Sequence, residues 1–220
     1  MVTPFERLYA VMTRPLVIAC WLLMTTVVWF YLDRPLADFF AGLELHTNAV
    51  PLAWFTMLGT RAFYITLYLT AALYFRYFRV NPEWEARCWF LFICVLIPEI
   101  ICGVLKVSLG RARPDMWFQE QFYGFYGFQA KSAFWSFPSG HTTTIMGVTL
   151  GAGILFPRYC YALVTAGLLV AVSRVLLVQH YLSDIMSASY LVLIEVGLLQ
   201  YFLRANSRSA LIFRGVLGKS

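Results

Sequence analysis

The sequence predicts an all-α polytopic membrane protein, six transmembrane helices in a bundle with a short interfacial helix at the N-terminus. Three observations carry this. The 220 residues are 60% hydrophobic and only 13% charged, with a mean hydropathy of +0.70, leaving too little polar side chain to cover a water-soluble domain. Long runs lack a polar stripe: Leu16 to Leu32 is apolar apart from Thr25 and Thr26, and Leu182 to Leu203 carries Asp184 and Glu195 but no base. A bilayer-spanning helix needs ~20 mostly apolar residues, whereas a soluble helix of that length keeps one polar face. Finally, the bases that give the net charge of +6 sit at the ends of apolar runs rather than in one patch, which argues against a nucleic-acid partner.

The elements follow in order. Residues 1–14 have the mixed face of an interfacial helix, and a first span over about 15–32 stops at Asp33-Arg34-Pro35. This span is read as retained rather than as a cleaved leader, because its apolar run is long and no small-residue cleavage site follows. A polar stretch through His46 precedes a second helix from about Ala49 to Arg76–Arg79, whose first turns up to Gly59-Thr60-Arg61 lie at or above the interface. Asn81-Pro82-Glu83 is a turn, and Pro82 suits a first helical position. A third span over about 85–109 is ended by Pro114. An aromatic- and glycine-rich loop then leads to spans from about 138 to 157, 158 to 177 and 181 to 203. The chain reads as a single membrane-embedded domain, 1–220, without internal repeats or low-complexity linkers.

Six spans put both termini on one side of the membrane. That side holds ten Lys/Arg (7, 14, 76, 79, 87, 158, 204, 208, 214 and 219) and the other seven (34, 61, 106, 111, 113, 131 and 174). Three of the seven belong to the islands described next, so both termini are expected in the cytoplasm.

Three polar islands emerge at the opposite face: Lys106-x6-Arg113-Pro114, Pro138-Ser139-Gly140-His141, and Ser173-Arg174-x5-His180-x3-Asp184. Lys106 and Arg113 are two helical turns apart, so both can face one way and take the non-bridging oxygens of a phosphate. Ser139 and Gly140 at a helix start offer backbone N–H groups to an anion. Arg174 adds a third cation. His180 and Asp184, four apart at a helix head, allow the carboxylate to orient one ring nitrogen while the other attacks, and His141 is left to protonate a departing oxygen.

These islands resemble the three-part signature of the type 2 phosphatidic acid phosphatase family, which also includes vanadium haloperoxidases and bacterial non-specific acid phosphatases. The pattern K-x6-R-P, P-S-G-H and S-R-x5-H-x3-D is matched at every fixed position within residues 106–184. The resemblance implies a metal-independent lipid phosphate phosphatase without cofactors. In it His180 forms a phosphohistidine, Asp184 holds the imidazole, and His141 protonates the leaving group and then activates water. Lys106, Arg113, Arg174, Ser139 and Gly140 bind the phosphoryl oxygens. Its bacterial members of this size act on undecaprenyl diphosphate, phosphatidylglycerol phosphate or lipid A, which implies an inner-membrane protein with a periplasmic site. Alternatives are a lipid-to-lipid phosphotransferase using the same site, a vanadate-dependent haloperoxidase, which the apolar spans disfavour, and a non-enzymatic lipid transporter.

Other residues have simpler expected roles. Arg111 and Lys131 match no fixed motif position and read as snorkelling anchors, with contact to a second phosphate as the alternative. The loop aromatics from Trp117 to Trp135 read as an interfacial belt or a lid hinged at Gly124 and Gly127. Glu99 and Glu195 share helix faces with Lys106 and Asp184, so they point into the bundle as hydrogen-bonded acids, with Arg61 as a partner for one of them. Cys20, Cys88, Cys94, Cys102 and Cys160 read as apolar packing residues, and His46, His141 and His180 do not suggest a metal site.

Overall fold

In the computed structural model, which describes residues 2–45 and 49–205, ten α-helices and three short 3-10 turns are found among the described residues, with no strand beyond isolated bridges. The helices are α1 (Pro4–Met12), α2 (Pro15–Tyr31), α3 (Asp33–Gly42), α4 (Val50–Thr56), α5 (Arg61–Tyr77), α6 (Pro82–Leu109), α7 (Pro114–Glu120), α8 (Gly140–Leu155), α9 (Cys160–Leu176) and α10 (Leu182–Ala205). His46 and the tail bases Arg208, Arg214 and Lys219 lie outside the described residues.

The all-α membrane architecture expected from the sequence is what the chain adopts. By length and composition, α6, α10 and the segment Pro157–Leu176 can each cross a bilayer, and the bent pair α1–α2 makes a fourth. The helices α5 and α8 have 17 and 16 residues. At 28 residues, α6 is about 42 Å long.

Each helix boundary has a local cause. Thr3 and Glu6 form a reciprocal capping box on α1. Proline at the first turn opens α2 and α6, and the Asn81 side chain caps α6. The polar stretch after the first span is a helix, α3, and not an irregular loop. Pro35 has no N–H to continue the ladder of α2, so the chain breaks at Leu32 and restarts. The long second helix is likewise two pieces, divided by a 3-10 turn at Met57–Gly59 and an extended Thr60. The third span ends earlier than Pro114 would end it. Gly110 adopts φ 54°, the left-handed C-cap, and a Cβ there would sit 2.1 Å from the Gly127 carbonyl.

The core is arranged around α8, which packs on α6, α9 and α10, while α5 lies on α6 and α2 on α10. Small residues let these helices close up, as membrane interfaces do in place of a hydrophobic driving force. A Cβ on Gly147 would lie 2.5 Å from the Cys94 carbonyl, and one on Gly167 would lie 2.6 Å from Thr149 Oγ1. Phe5, Phe90, Cys94, Met146, Leu150 and Val192 fill the centre. All five cysteines are free, and Cys88, Cys94, Cys102 and Cys160 are buried packing residues, as expected, while Cys20 is exposed. The amphipathic α1 turns 71° from α2 and seals the lower end of the bundle: Tyr9 covers Gly197, and the Tyr190 hydroxyl donates to the Met12 carbonyl at 2.6 Å.

The close approach of α6 and α8 sets a testable cost. Gly147→Ala should force the two helices apart and destabilise the fold by about 1–3 kcal/mol. Gly42→Ala, at a position with nothing within 4 Å of a new Cβ, should leave the melting temperature in detergent unchanged.

Candidate active site

All three sequence islands converge. The end of α6, the head of α8 and the α9–α10 turn line one cavity of about 540 Å³, together with Gly59–Ala62 from the start of α5 and Trp135 from the loop. Lys106, Arg113, Gly140, His141, Arg174 and His180 all face it. Ser139 sits just behind, fully buried, as the N-cap of α8, with its hydroxyl 3.5 Å from the Thr142 amide. The head of α8, with its unsatisfied N–H groups, therefore forms one wall of the cavity.

The three cations are held only by neutral oxygens. Lys106 Nζ donates to the Trp135 carbonyl at 2.7 Å, Arg113 Nε to the Ser132 carbonyl at 3.1 Å, and an Arg174 terminal nitrogen to Thr56 Oγ1 at 3.1 Å. Among the described residues none of the three has a carboxylate within ion-pair distance. Burial depresses the Arg113 guanidinium below its ordinary range, the direction expected of a cation short of counter-charge. Among the described residues no three His, Cys, Asp or Glu side chains gather as a metal site.

His180 is 3% exposed, with Nδ1 turned inward and 3.5 Å from Asp184 Oδ2. The two groups are at ion-pair distance, a looser contact than a formed hydrogen bond and one that a bound substrate can tighten. The Ser136 hydroxyl donates to the same carboxylate oxygen at 2.6 Å and lies 3.5 Å from Nδ1. Burial lowers the imidazole to about 3, against the upward pull of Asp184. The ring is thus neutral, with Nε2 left to the cavity. The turn that presents it is strained: Val178 has φ 54°, an unfavourable region for a β-branched residue that costs about 1–2 kcal/mol. This bend brings the Gln179 and His180 amides onto the Arg174 carbonyl at 2.9 and 3.3 Å. His141 is pressed against Gly59, where an added Cβ would lie 2.9 Å from the His141 Cβ.

Several residues depart from their sequence reading. Arg111 is no snorkelling anchor and does not line the cavity that holds Lys106, Arg113 and Arg174. It is 1% exposed, bonded to Asp184 Oδ1 at 2.5 Å, Ser183 Oγ at 2.7 Å and Asp33 Oδ2 at 2.7 Å, and enclosed by the rings of Tyr123, Phe125 and Tyr181. Burial works against its charge, but Asp184 and Asp33 outweigh it and raise the guanidinium above its ordinary range. The loop aromatics accordingly divide, with Tyr123 turned inward onto Tyr181 while Phe128 stays 76% exposed. Lys131 is exposed. Glu99 accepts from Thr144 Oγ1 at 2.7 Å and from Arg61 at 3.4 Å, the expected pairing, and also lines the cavity. Glu195 is half-buried with its carboxylate oxygens turned inside, and among the described residues these oxygens have no hydrogen-bond partner. Sequence reasoning missed Asp33, Ser136 and Thr56. Only Asp33 carried a signal, as an acid beside an apolar run.

Comparison with known proteins shows the family and the fold. The sequence model of the PAP2 superfamily matches residues 87–207. A lipid A 1-phosphatase of Rhizobium johnstonii is 37% identical over 98 residues, covering 44% of this chain and 40% of that protein. Its counterpart in Rhizobium etli is 36% identical over 98 residues, covering 44% and 42%. A PA-phosphatase related-family protein of Dictyostelium discoideum is 34% identical over 127 residues, covering 50% and 23%. The chain thus matches less than half the length of these curated relatives. The crystal structure of the first transmembrane PAP2 type phosphatidylglycerolphosphate phosphatase, from Bacillus subtilis, superposes with a TM-score of 0.51 at 20% identity. It covers 93% of this chain and 94% of that one, a likeness of fold.

The lowered His180 has a consequence for stability. Its folded affinity for a proton lies below the unfolded value of about 6.5, so the unfolded chain takes up the proton first and stability falls as pH drops from there. The melting temperature in detergent should fall on acidification from pH 7 to 5, and His180→Gln should flatten that slope. Parallel slopes for the two proteins would contradict the assignment.

Proposed function

The chain belongs to the PAP2 superfamily, and from that premise we propose that it is a metal-independent lipid phosphate phosphatase acting through a phosphohistidine on His180. The observation that carries this reading is the set of three cations, Lys106, Arg113 and Arg174, which face one cavity without carboxylate partners among the described residues while the neutral His180 faces the same space. Such an arrangement suits a tetrahedral dianion and little else of that size.

The steps follow from the geometry. Lys106, Arg113, Arg174 and the Gly140 amide take the non-bridging oxygens, and Ser139 fixes the helix head that presents that amide. His180 Nε2 attacks phosphorus as the bond to the leaving oxygen breaks. Asp184 accepts a hydrogen bond from Nδ1–H, which keeps its proton, and stabilises the positive charge that develops on the ring. His141 protonates the departing oxygen, then removes a proton from water as that water attacks the phosphohistidine, which releases inorganic phosphate and restores the imidazole. The cations supply the neutralisation that a metal supplies elsewhere.

The substrate is a membrane lipid phosphomonoester or diphosphate: lipid A phosphate, phosphatidylglycerol phosphate or undecaprenyl diphosphate. The names of the Rhizobium relatives favour the phosphate on lipid A. We read six crossings, by α2, α5, α6, α8, α9 and α10, with both termini in the cytoplasm and the site on the periplasmic face of an inner membrane, a reading supported by the distribution of bases.

Phosphate release from a panel of these lipids in detergent, with a chelator present, tests the assignment. The wild type should hydrolyse at least one lipid in the presence of chelator, and His180→Ala should lose about ten-thousand-fold in rate. Equal release by the two proteins would refute the nucleophile.

A further inference from the structure

The mechanism above uses one carboxylate and three cations, and leaves Arg111 and Asp33 without a part. Both are 1% exposed. Asp33 lies on α3, which precedes the region matched by the family, yet it reaches the head of α10: Ser183 donates to it through its amide at 3.0 Å and through its hydroxyl. Arg111 lies between the two carboxylates. One terminal nitrogen serves Asp184 Oδ1 and Ser183 Oγ, and the other serves Asp33 Oδ2. Burial pushes the Asp33 carboxyl up against the pull of Arg111, and buried ionic clusters are poor sources of stability. Their value lies in fixed geometry. Asp184 Oδ1 is committed to Arg111, so Oδ2 can turn only toward Ser136, the Tyr181 amide at 3.0 Å and His180.

We propose that Arg111 and Asp33 are positioning residues for phosphoryl transfer: the Arg111 fork sets the rotation of the Asp184 carboxylate against His180, and Asp33 shares the guanidinium so that Asp184 keeps its strength as the acceptor of a hydrogen bond from Nδ1–H. The inference rests on the phosphatase reading. Without Asp33, the whole guanidinium charge would fall to Asp184, drawing its electron density away from the imidazole and freeing the head of α10 from α3. Without the fork of Arg111, a lysine could neutralise one carboxylate but could not hold two in a plane. Neither residue touches the cavity, so neither contributes to binding the phosphate.

The test compares full-length wild type, Asp33→Asn, Arg111→Lys and His180→Ala, each judged folded by elution and thermal melt in detergent. Steady-state kinetics use the lipid phosphate that the wild type hydrolyses best, with inorganic phosphate as a competitive probe of the anion site. Asp33→Asn and Arg111→Lys should each lower kcat by about 100-fold, the scale of a small misplacement of a reacting group. KM and the inhibition constant for inorganic phosphate should stay within about threefold of wild type, whereas a merely structural role would reduce the folded yield and leave kcat per folded molecule intact. A folded Asp33→Asn with wild-type kcat overturns the proposal, and so does failure of both variants to fold, which would assign the cluster to structure alone. A wild type that releases no phosphate overturns the phosphatase reading first, and this one with it.

Discussion

The arrangement of the site depends on one buried carboxylate. Asp184 accepts from Arg111, Ser136 and the Tyr181 amide, and faces His180 with the remaining capacity of Oδ2. An anion with no solvent around it persists only when its lone pairs are met by donors, and these donors come from widely separated parts of the chain. Arg111 follows the left-handed stop at Gly110, Ser136 precedes the head of α8, and Tyr181 opens α10. Meeting the needs of one carboxylate therefore draws the end of α6 and the heads of α8 and α10 to the same depth. The loop from 121 to 137 closes around that junction through backbone bonds, among them Ala112 to Gly124 at 3.1 Å and Ser136 to Arg111 at 3.0 Å.

A division among the cations then separates scaffold from binding site. Arg111 has two carboxylates and is enclosed by aromatic rings, so its charge is spent inside the protein. Lys106, Arg113 and Arg174 have carbonyl and hydroxyl oxygens, which orient them without cancelling them. In a low-dielectric setting, such charges attract an anion far more strongly than they would in water. The head of α8 adds partial positive charge on the same side. Arg61 differs from both groups, since it pairs with Glu99 at the cavity while its side chain remains 67% exposed.

What the sequence made legible was local or periodic. Ser139 and Gly140, and His180 and Asp184, are related by adjacency or by helical spacing, so their convergence follows once the apolar runs are assigned; Lys106 and Arg113 do meet, but across the left-handed stop at Gly110, with Arg113 in an extended conformation and not two turns further along one helix. Arg61 was legible as a partner for one of Glu99 and Glu195, and the packing of α5 on α6 is what selects Glu99. Arg111 and Asp33 were not: they are 78 residues apart, and only the packing of α3 against the heart of the bundle brings them together. In the sequence, Asp33-Arg34-Pro35 reads as an ordinary stop to a span, and Arg111 as one more base at a helix end. Pro114 was a plausible stop for α6, but the left-handed Gly110 acts first because the returning loop needs the space that a side chain would occupy. Glu195 shows the limit of face-matching: its helix face predicted burial correctly and a partner incorrectly.

The central claim is that His180 itself carries the phosphoryl group. Brief mixing with a 32P-labelled lipid phosphate, followed by alkaline quench and peptide mapping, tests it directly, because a phosphohistidine survives base and not acid. The label should appear on the peptide containing His180 and should be absent from His180→Ala. Label on the His141 peptide instead, or steady turnover with no labelled protein at any time, would contradict the account.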